Sequence, residues 1–213
     1  MKNLNVAVLE LGALKANCYL IYDSVSKAAA IVDPADWHDV ITKKCEALNV
    51  KPAAALLTHG HFDHMTAAAR IRATFGISLC AGAAEQTLLA DANMNGSAKF
   101  GGPLTLDADM WVKDGDVLDF AGIEIQTIST PGHTAGGVCY YFKDGAFLIS
   151  GDTLFKGGVG RTDLPTGDFK TLARSIKEKL FALPDDTAVY PGHGPATTIA
   201  FEKKHNIIFR LDK

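Results

Sequence analysis

Short apolar runs bounded by turn residues dominate the hydrophobic pattern of the chain. Runs of four to eight apolar residues between Gly, Pro, Asn, Asp or Ser are typical of β-strands. Ten runs fit this description: VAVLEL, CYLIYD, AAAIVDP, AAALLTH, ISLCAG, VLDF, IEIQTIST, GVCYYF, AFLISGD and TAVYPGH. The pattern therefore predicts a protein with many short strands.

Helical spacing appears between some of these runs. It is clearest over 168–183, where apolar residues from Phe169 to Leu180 recur at steps of three and four positions. Asp168 is the predicted N-cap of this helix, and Pro184 follows its end. Weaker helical patterns cover four further segments: 37–48, 65–75, 83–92 and 197–207. Helices mixed with strands in this way predict an α/β fold built from layers.

Two segments repeat the same order of features. NCYLIYDSVSKAAAIVDPAD and GVCYYFKDGAFLISGDTLF each contain a Cys-Tyr strand, a polar turn and a second strand that ends in Asp. A true repeat would align Asp33 with Asp152 and would predict two similar halves packed face to face. The alternative is that any β-hairpin followed by an Asp-containing loop has this appearance. No Pro- or Ser-rich linker separates the halves, so we expect one domain over residues 1–213.

The composition is typical of a folded globular protein and favours neither nucleic acid nor membrane as a partner. Hydrophobic residues make up 47% and charged residues 21% of the 213 positions. The 21 Lys and Arg residues against 24 Asp and Glu give a formal charge of −3, without the basic run that binds a phosphate backbone. No apolar run approaches the length of about 20 residues that a membrane-spanning helix needs.

The four cysteines favour a reducing compartment. Cys18, Cys45, Cys80 and Cys139 are widely separated and form no Cys-x-x-Cys pair. The N-terminus lacks the cationic start and apolar stretch of a signal peptide. We therefore expect a cytoplasmic protein whose cysteines are reduced and structural.

The candidate chemistry begins in the segment AAALLTHGHFDHMTAA, where a predicted strand passes through a polar loop into a predicted helix. The loop contains His59, His61, Asp63 and His64. Imidazole nitrogen and carboxylate oxygen are ligands that zinc and other borderline divalent ions prefer. Chance clustering is a poor alternative, because three of the seven histidines fall at spacings of two and three around one Asp. The loop therefore predicts a metal site.

Three further strand ends each carry a residue of a ligand type. IQTISTPGHT contributes His133, FLISGD contributes Asp152 and TAVYPGH contributes His193. Any one of these residues by itself would be an ordinary turn residue. Ligand sites in α/β sheets lie at strand ends where loops diverge. Together with the first loop, these residues are predicted to converge on one edge of the fold.

The motifs THGHFDH, PGHT, SGD and YPGHG, in this order, resemble those of the metallo-β-lactamase superfamily, and the resemblance spans nearly the whole chain. It implies a four-layer αβ/βα sandwich with the metals at one edge. It also implies two ligand groups and a shared carboxylate: His59, His61 and His133 for the first metal, Asp63, His64 and His193 for the second, and Asp152 for both.

A site of this kind implies hydrolysis without a serine or cysteine nucleophile. Two divalent ions that share a carboxylate and a water lower the pKa of that water towards about 7 and polarise the carbonyl under attack. Asp63 is the candidate catalytic residue, because it can also accept a hydrogen bond from the bridging hydroxide. Zinc is the expected metal, although the same ligands accept iron and manganese.

The carboxylate at position 152 resembles the thioesterase and lactonase branches more than the β-lactamases. GDTLFKGGVGRTDLPTGDF and LPDDTAVYPGHGPATTI resemble short bacterial glyoxalase II-type hydroxyacylglutathione hydrolases. This resemblance implies a small-molecule thioester substrate, such as a glutathione conjugate, and a substrate-binding role for Arg161. The alternative is that Arg161 braces its loop against Asp163. Longer glyoxalase II enzymes add a C-terminal helical domain that this sequence does not show, which predicts an open site and broader thioester selectivity.

Two other kinds of function fit part of the pattern. Persulfide dioxygenases share the GRTD loop and a similar length but use one iron held by the first-site residues. The intact second set of Asp63, His64 and His193 favours hydrolysis. A non-catalytic metal-binding scaffold is the other alternative. It is disfavoured because structural sites are normally closed by four protein ligands, whereas this arrangement leaves positions open for water.

The remaining residues near these motifs receive simpler roles. His38 lies near the start of a predicted helix and His205 lies in the charged stretch EKKHN, so we expect solvated or capping side chains. Thr58 and Thr134 flank candidate ligands and are predicted to bond groups that orient them.

Overall fold

Two six-stranded sheets form the centre of the protein, in a computed structural model that describes residues 4–100 and 102–211. The first sheet has the order β1 (Leu4–Leu11), β2 (Ala16–Asp23), β3 (Ala28–Val32), β4 (Lys51–Leu56), β5 (Ser78–Gly82) and β6 (Met110–Val112). The second has the order β14 (Thr197–Thr198), β13 (Ala188–Pro191), β10 (Phe147–Gly151), β9 (Val138–Phe142), β8 (Ile123–Ser129) and β7 (Val117–Phe120). A separate hairpin pairs β11 (Leu154–Phe155) with β12 (Gly158–Val159). All ten predicted strands are present.

Helices cover the outer faces of the two sheets. They are α1 (His38–Leu48), α2 (Phe62–Met65), α3 (Ala68–Phe75), α4 (Gln86–Ala90), α5 (Ser97–Phe100), α6 (Phe169–Arg174), α7 (Ile199–His205) and α8 (Ile208–Leu211). Ile41 of α1 and Ile71 of α3 pack in the core of the first sheet, and Leu172 of α6 packs in that of the second. A third cluster, which includes Tyr19 and Tyr140, fills the space between the sheets. The order helix, sheet, sheet, helix confirms the predicted four-layer αβ/βα sandwich in one domain.

Burial on both faces explains the unbroken apolar runs. All five residues of β3 and all five of β10 are buried, because each strand has helices on one face and the other sheet on the opposite face. Strands in this position are apolar throughout. By contrast, β8 alternates: Ile123 and Ile125 are buried, whereas Glu124 and Gln126 are exposed.

The two sheets share a local topology. In the first, β2 pairs antiparallel with β3, which pairs parallel with β4. In the second, β9 pairs antiparallel with β10, which pairs parallel with β13. Asp33 follows β3 and Asp152 follows β10, in the alignment that the sequence repeat predicts. His64 contacts both carboxylates, so the two strand ends meet at one edge of the sandwich.

The segment 168–183 is helical, but its hydrogen-bonding pattern changes twice. After α6 the chain continues as a π-helical turn over Ser175–Lys179 and a 3-10 turn over Leu180–Ala182. Asp168 is the N-cap as predicted, because its side chain accepts a hydrogen bond from the N–H of Thr171 at 2.8 Å.

Two other predicted helices have different limits in the structure. The pattern over 65–75 predicts one helix, but α2 ends at Met65 and α3 begins at Ala68. The break arises because the N–H of Ala67 donates to the carbonyl of Pro34 at 3.0 Å rather than within a helix. The segment 197–207 begins with the strand β14, and α7 starts only after Thr198, whose hydroxyl accepts from the N–H of Phe201.

The last two weaker helix predictions are close to the structure, whereas some short strands escape prediction. The pattern over 37–48 corresponds to α1, and that over 83–92 to a 3-10 turn (Ala83–Glu85) followed by α4. The apolar pattern does not predict β6, β11, β12 or β14, because two or three residues are too few to show a period.

The four cysteines are buried free thiols. Burial raises the pKa of Cys45 to about 11 and that of Cys80 to about 12, so both stay protonated near neutral pH, which suits structural roles. Across 4–100 and 102–211, no helix has the length and apolar character that crossing a membrane would require.

Candidate metal centre

The loop after β4 and the short helix α2 together carry the first four candidate ligands, and Thr58 fixes this segment to both sheets. The N–H and the hydroxyl of Thr58 donate to the two carboxylate oxygens of Asp33, each at 2.7 Å. The carbonyl of Thr58 accepts from the N–H of Val138 at the start of β9, at 2.8 Å. Thr58 therefore holds the loop, as its predicted orienting role requires.

The other three candidate ligands lie at strand ends of the second sheet, and all seven converge. His133 follows β8, Asp152 follows β10 and His193 follows β13. Among the described residues, ligand atoms that lie within 4.8 Å of one another form three groups. Two of them are the sets that the resemblance implies: the first triad of His59, His61 and His133, and the second triad of Asp63, His64 and His193. The third joins Asp33 with His59 and His64.

Asp152 lies between the two triads. Its Oδ1 is 3.5 Å from His64 Nε2, and its Oδ2 is 3.6 Å from His133 Nε2 and 3.7 Å from His193 Nε2. A Cβ at Gly192 would lie only 2.1 Å from Asp152 Oδ1, so the glycine of YPGHG leaves the room that this carboxylate occupies. One carboxylate can thus serve both groups of histidines.

Separations within the triads suit metal binding. His64 Nε2 lies 3.2 Å from His193 Nε2, which lies 3.3 Å from Asp63 Oδ2, and His61 Nδ1 lies 2.9 Å from His133 Nε2. Two atoms that bind one zinc at 2.0–2.1 Å with tetrahedral geometry are about 3.3 Å apart. The donor spacing therefore fits ions held by these groups.

Several buried polar atoms of the candidate ligands have no hydrogen-bond partner within the described part of the chain. They are His59 Nε2, His61 Nε2 and Asp152 Oδ1. A buried polar atom without a hydrogen bond costs about 1–3 kcal/mol, so such atoms are rare unless another group satisfies them. Their concentration in one cluster of His and Asp side chains is compatible with a dinuclear metal site.

Acceptors outside the cluster fix the direction of three rings. The Nδ1–H of His133 donates to the carbonyl of Arg161 at 2.7 Å, and that of His193 donates to the carbonyl of Lys15 at 3.3 Å. The Nδ1–H of His64 donates to a carboxylate oxygen of Asp33 at 3.0 Å. Because these carbonyls and this carboxylate can only accept, Nδ1 carries the proton. A neutral ring then presents the lone pair of Nε2 to the cluster.

Burial keeps the histidines of the first triad neutral. It lowers the pKa of His59 well below its ordinary value, and nearby imidazoles lower it further. Burial and the adjacent His133 lower the pKa of His61 to about 3, and burial also lowers the pKa of His133. Neutral imidazole is the form that binds metal ions.

The pKa of His64 in the second triad is shifted in the opposite direction. Burial by itself would lower its pKa, but the carboxylates of Asp63, Asp152 and Asp33 raise it to about 10. Burial would raise the pKa of Asp63, yet His64 and His193 hold it well below its usual range. The Asp63 carboxylate is therefore ionised and attracts positive charge.

A cleft of about 750 Å³ opens onto the cluster. Five candidate ligands line it: His61, Asp63, His133, Asp152 and His193. Phe62 and Phe100 form part of one wall and stack with ring centroids 5.2 Å apart, and Lys99 and Arg161 also line the cleft. The guanidinium of Arg161 donates two hydrogen bonds of 2.7 Å to Asp163. Arg161 therefore makes the contact with Asp163 that the alternative expects, and it also lines the cleft.

Residues 11–193 match the model of the metallo-beta-lactamase superfamily. The chain belongs to this superfamily. Among curated members, "Hydroxyacylglutathione hydrolase GloC" of Haemophilus influenzae is 36% identical over 207 residues, which cover 95% of this chain and 97% of that protein. "Probable metallo-hydrolase YqgX" of Bacillus subtilis is 38% identical over 200 residues, which cover 93% and 94% of the two chains.

Solved structures of the metallo-β-lactamase superfamily share the fold over almost the whole chain. The BLEG-1 B3 metallo-beta-lactamase has a TM-score of 0.90 and 38% identity, covering 95% of this chain and 98% of that one. TTHA1623 in a di-iron-bound form has a TM-score of 0.82 and 32% identity, covering 94% and 98%. ETHE1 from Myxococcus xanthus has a TM-score of 0.78 and 27% identity, covering 98% and 92%.

Some residues that hold the candidate ligands in place are not predicted from the sequence. For Asp33 the sequence pattern predicts only a place in the repeat. Its position at the end of an apolar strand is the feature that could have indicated a functional role. Tyr19 of β2 donates its hydroxyl to the carbonyl of Pro191 at 2.6 Å, and the amide of Asn17 donates to the carbonyls of Pro191 and Gly194. These bonds hold the loop of His193 to the first sheet, and no local pattern indicates them.

The residues with simpler predicted roles lie away from the cluster or beside it. The His38 ring at the start of α1 contacts Asp39 and Thr74, and the His205 ring packs on Phe201. Thr134 is buried beside His133, but no hydrogen bond joins its hydroxyl to a ligand within the described residues. Burial raises the pKa of the Glu85 carboxyl and the Thr134 hydroxyl beside it acts in the opposite direction, so the predicted role of Thr134 next to groups that orient the ligands stays a prediction.

Proposed function

We propose that the chain is a metal-dependent thioester hydrolase that acts on hydroxyacylglutathione thioesters of the S-lactoylglutathione type. The observation that carries this proposal is the pair of triads joined by Asp152 at the base of an open cleft. The relative named hydroxyacylglutathione hydrolase, with 36% identity over nearly the full length of both chains, supports the choice of substrate.

The ligands would divide as the motifs imply. His59, His61 and His133 would hold one divalent ion, Asp63, His64 and His193 the other, and Asp152 both. Zinc is the proposed metal, although these donor types also suit iron. When bound, the two ions would supply a water activated near neutral pH and would polarise the thioester carbonyl.

The side chains around the centre have separate tasks in this proposal. Asp63, with 15% of its side chain exposed, faces the cleft and would accept a hydrogen bond from the attacking water. Asp33 orients His64, and the carbonyls of Arg161 and Lys15 orient two further rings. The sheets thus hold the donors rigidly before substrate enters, which lowers the reorganisation needed during reaction.

The cleft suits a ligand with both apolar and anionic parts. Phe62, Met94, Phe100 and Phe155 line it together with the cations Lys99 and Arg161. A glutathione thioester has carboxylates that a cation can bind and an acyl group that can lie against apolar walls. We therefore propose that Arg161 contributes to substrate binding through the N–H groups that Asp163 does not use.

Persulfide oxygenation is the second candidate. It is favoured by the similarity to ETHE1, a persulfide dioxygenase, at 27% identity. The complete second triad of Asp63, His64 and His193 supports hydrolysis over this reaction, which would need only the residues of the first triad.

Elemental analysis combined with three assays tests the proposal. Protein loaded with two zinc ions per chain is expected to cleave S-lactoylglutathione, and His59→Ala is expected to abolish cleavage, whereas His205→Ala, outside the cluster, is expected to retain it. Oxygen uptake with glutathione persulfide by iron-loaded protein, without thioester cleavage, would establish the second candidate instead. Preferential turnover of a chromogenic β-lactam would assign the activity suggested by BLEG-1, and inactivity on all three would support a scaffold.

A further inference from the structure

Glu85 is a fully buried carboxylate that lies behind the metal cluster. It ends the 3-10 turn Ala83–Glu85 between β5 and α4, and none of its surface is exposed. Its Oε2 accepts a hydrogen bond from the N–H of Gly60 at 2.8 Å, and its Oε1 accepts from the N–H of Gly136 at 2.7 Å. Each oxygen thus binds the backbone of a different loop.

Both loops carry ligands of the first triad. Gly60 lies between His59 and His61, and Gly136 lies three residues after His133. The two loops come from different sheets, because the first follows β4 and the second follows β8. A single side chain therefore connects the two backbones whose histidines must meet at one ion.

The packing around Glu85 leaves no room for the loops to shift towards it. A Cβ at Gly60 would lie 2.7 Å from Leu88 Cδ2 and 2.9 Å from Glu85 Oε2, and a Cβ at Gly136 would lie 2.2 Å from the backbone nitrogen of Glu85. The Gly136 loop thus contacts the backbone of the turn, and the Gly60 loop contacts side chains of the turn and of α4. Loss of the carboxylate would leave two buried N–H groups without acceptors, and the loops would have to move to satisfy them.

We propose that Glu85 is a positioning residue for the first metal site, which sets the affinity of the His59, His61 and His133 triad for its ion. The second triad is held by other groups, since Asp33 orients His64 and the carbonyl of Lys15 orients His193. The inference rests on the proposed ligand sets but not on the proposed substrate. Residues that orient metal ligands typically change metal affinity by about 10- to 100-fold.

Zinc affinity, measured by competition with a chromophoric chelator, tests this role without any activity assay. Two backgrounds isolate the sites: His193→Ala weakens the second site, and His61→Ala weakens the first. Glu85→Ala in the His193→Ala background is expected to weaken zinc binding about 10- to 100-fold. In the His61→Ala background it is expected to weaken zinc binding far less, because Asp33 and the carbonyl of Lys15, not Glu85, orient the histidines of the second triad.

Asp23→Ala is the matched control. Asp23 is also a buried carboxylate that accepts from two backbone N–H groups, those of Val25 at 2.7 Å and Ser26 at 2.8 Å, but these groups lie in the turn between β2 and β3 and not in a loop of the first triad. This variant is expected to lower the melting temperature and to keep zinc affinity in the His193→Ala background. Where Glu85→Ala fails to fold, Glu85→Gln serves instead, because its single acceptor oxygen keeps one of the two bonds and an intermediate loss is expected.

Equal weakening of zinc binding in both backgrounds, or an equal loss in the Asp23→Ala control, would overturn the inference in favour of general destabilisation. Unchanged affinity in every Glu85 variant would overturn it as well. Failure of the wild-type chain to bind two zinc ions would instead overturn the proposed metal centre, so the two failures are distinguishable.

Discussion

At the scale of single residues, protons and metal ions compete for the same atoms in the cluster. The carboxylates of Asp63, Asp152 and Asp33 all lie within 3.7 Å of a nitrogen of His64. These carboxylates outweigh the lowering effect of burial on the pKa of His64 and favour the imidazolium form, in which both ring nitrogens carry a proton. A divalent ion at the same place would supply the positive charge that the second ring proton otherwise provides, so occupancy by metal and protonation of His64 exclude each other.

Metal binding to the metal-free protein is therefore expected to release protons at pH 7.5. A pKa raised to about 10 keeps His64 protonated at that pH, whereas a ligand imidazole must be neutral. We expect release of about one proton per chain, and the apparent zinc affinity should fall as pH falls. Titration calorimetry in two buffers of different ionisation enthalpy measures the number of protons released on metal binding. A binding enthalpy that does not depend on the buffer would contradict the expectation.

Gly192→Ala is expected to disrupt the shared carboxylate. The new methyl group would lie 2.1 Å from Asp152 Oδ1 and 2.7 Å from His64 Cε1, and inserting a group into packed surroundings costs about 1–3 kcal/mol. Zinc content by elemental analysis should fall below two ions per chain. Gly158→Ala is the control, because its Cβ would meet nothing within 4 Å. Full zinc content in Gly192→Ala would show that Asp152 does not need this space.

At the scale of elements, the hairpin of β11 and β12 links the cleft, the ligands and the outer helices. Glu202 of α7 and the amide of Asn206 hold the backbone at Gly157 and Gly158. Just after β12, the carbonyl of Arg161 accepts from His133, and its guanidinium lines the cleft. The same short segment thus orients a ligand through its backbone and faces substrate through its side chain.

Arg161→Gln separates these two tasks, because it removes the charge and keeps the carbonyl. Exposed ion contacts contribute about 0.2–1 kcal/mol, so KM for S-lactoylglutathione should rise by about 1.4- to 5-fold while kcat stays nearly unchanged. Lys99→Gln removes the other cation of the cleft and is the matched comparison. A KM that rises only in Lys99→Gln would move the substrate contact from Arg161 to Lys99, and steady-state kinetics on the three proteins decides between them.

At the scale of the whole molecule, the metal centre joins the two halves of the sandwich. One ligand loop follows β4 of the first sheet, and the other ligands follow β8, β10 and β13 of the second. Ions bound between them would favour the assembled state over the unfolded chain, because the unfolded chain holds no preformed site.

Removal of metal by a chelator is expected to lower the melting temperature. Free zinc at 1,000 times Kd stabilises by about 4 kcal/mol, and each kcal/mol shifts the midpoint by about 2–4 °C in a domain of this size, so the shift should be about 8–16 °C. Differential scanning fluorimetry with and without chelator measures it. His205→Ala should show the full shift, and His59→Ala a smaller one. Equal melting temperatures with and without zinc would argue against a site shared by both halves.

The fold was largely predictable because its strands are buried on both faces. Runs such as AAAIV and FLISG are apolar throughout and need no partner to be recognised as strands. The π-helical turn over Ser175–Lys179 and the break at Ala67 were not predictable, because contacts with distant residues decide them. The N–H of Ala67, for example, binds a carbonyl 33 positions earlier, at Pro34.

The sequence by itself determined the candidate ligand types and their order, because each motif is local and each chemical group keeps its identity in any fold. Their division into two sets was implied by the resemblance to the superfamily and not by the spacing of the motifs. The resemblance already implied a shared Asp152, and the structure places it between the two triads. Only the tertiary structure decided the place of Asp33, which accepts hydrogen bonds from Thr58 and His64. It also decided the contacts of Glu85, since the two amides that it binds lie 25 and 51 positions away. Such contacts depend on how the sheets pack, and no spacing along the chain encodes them locally.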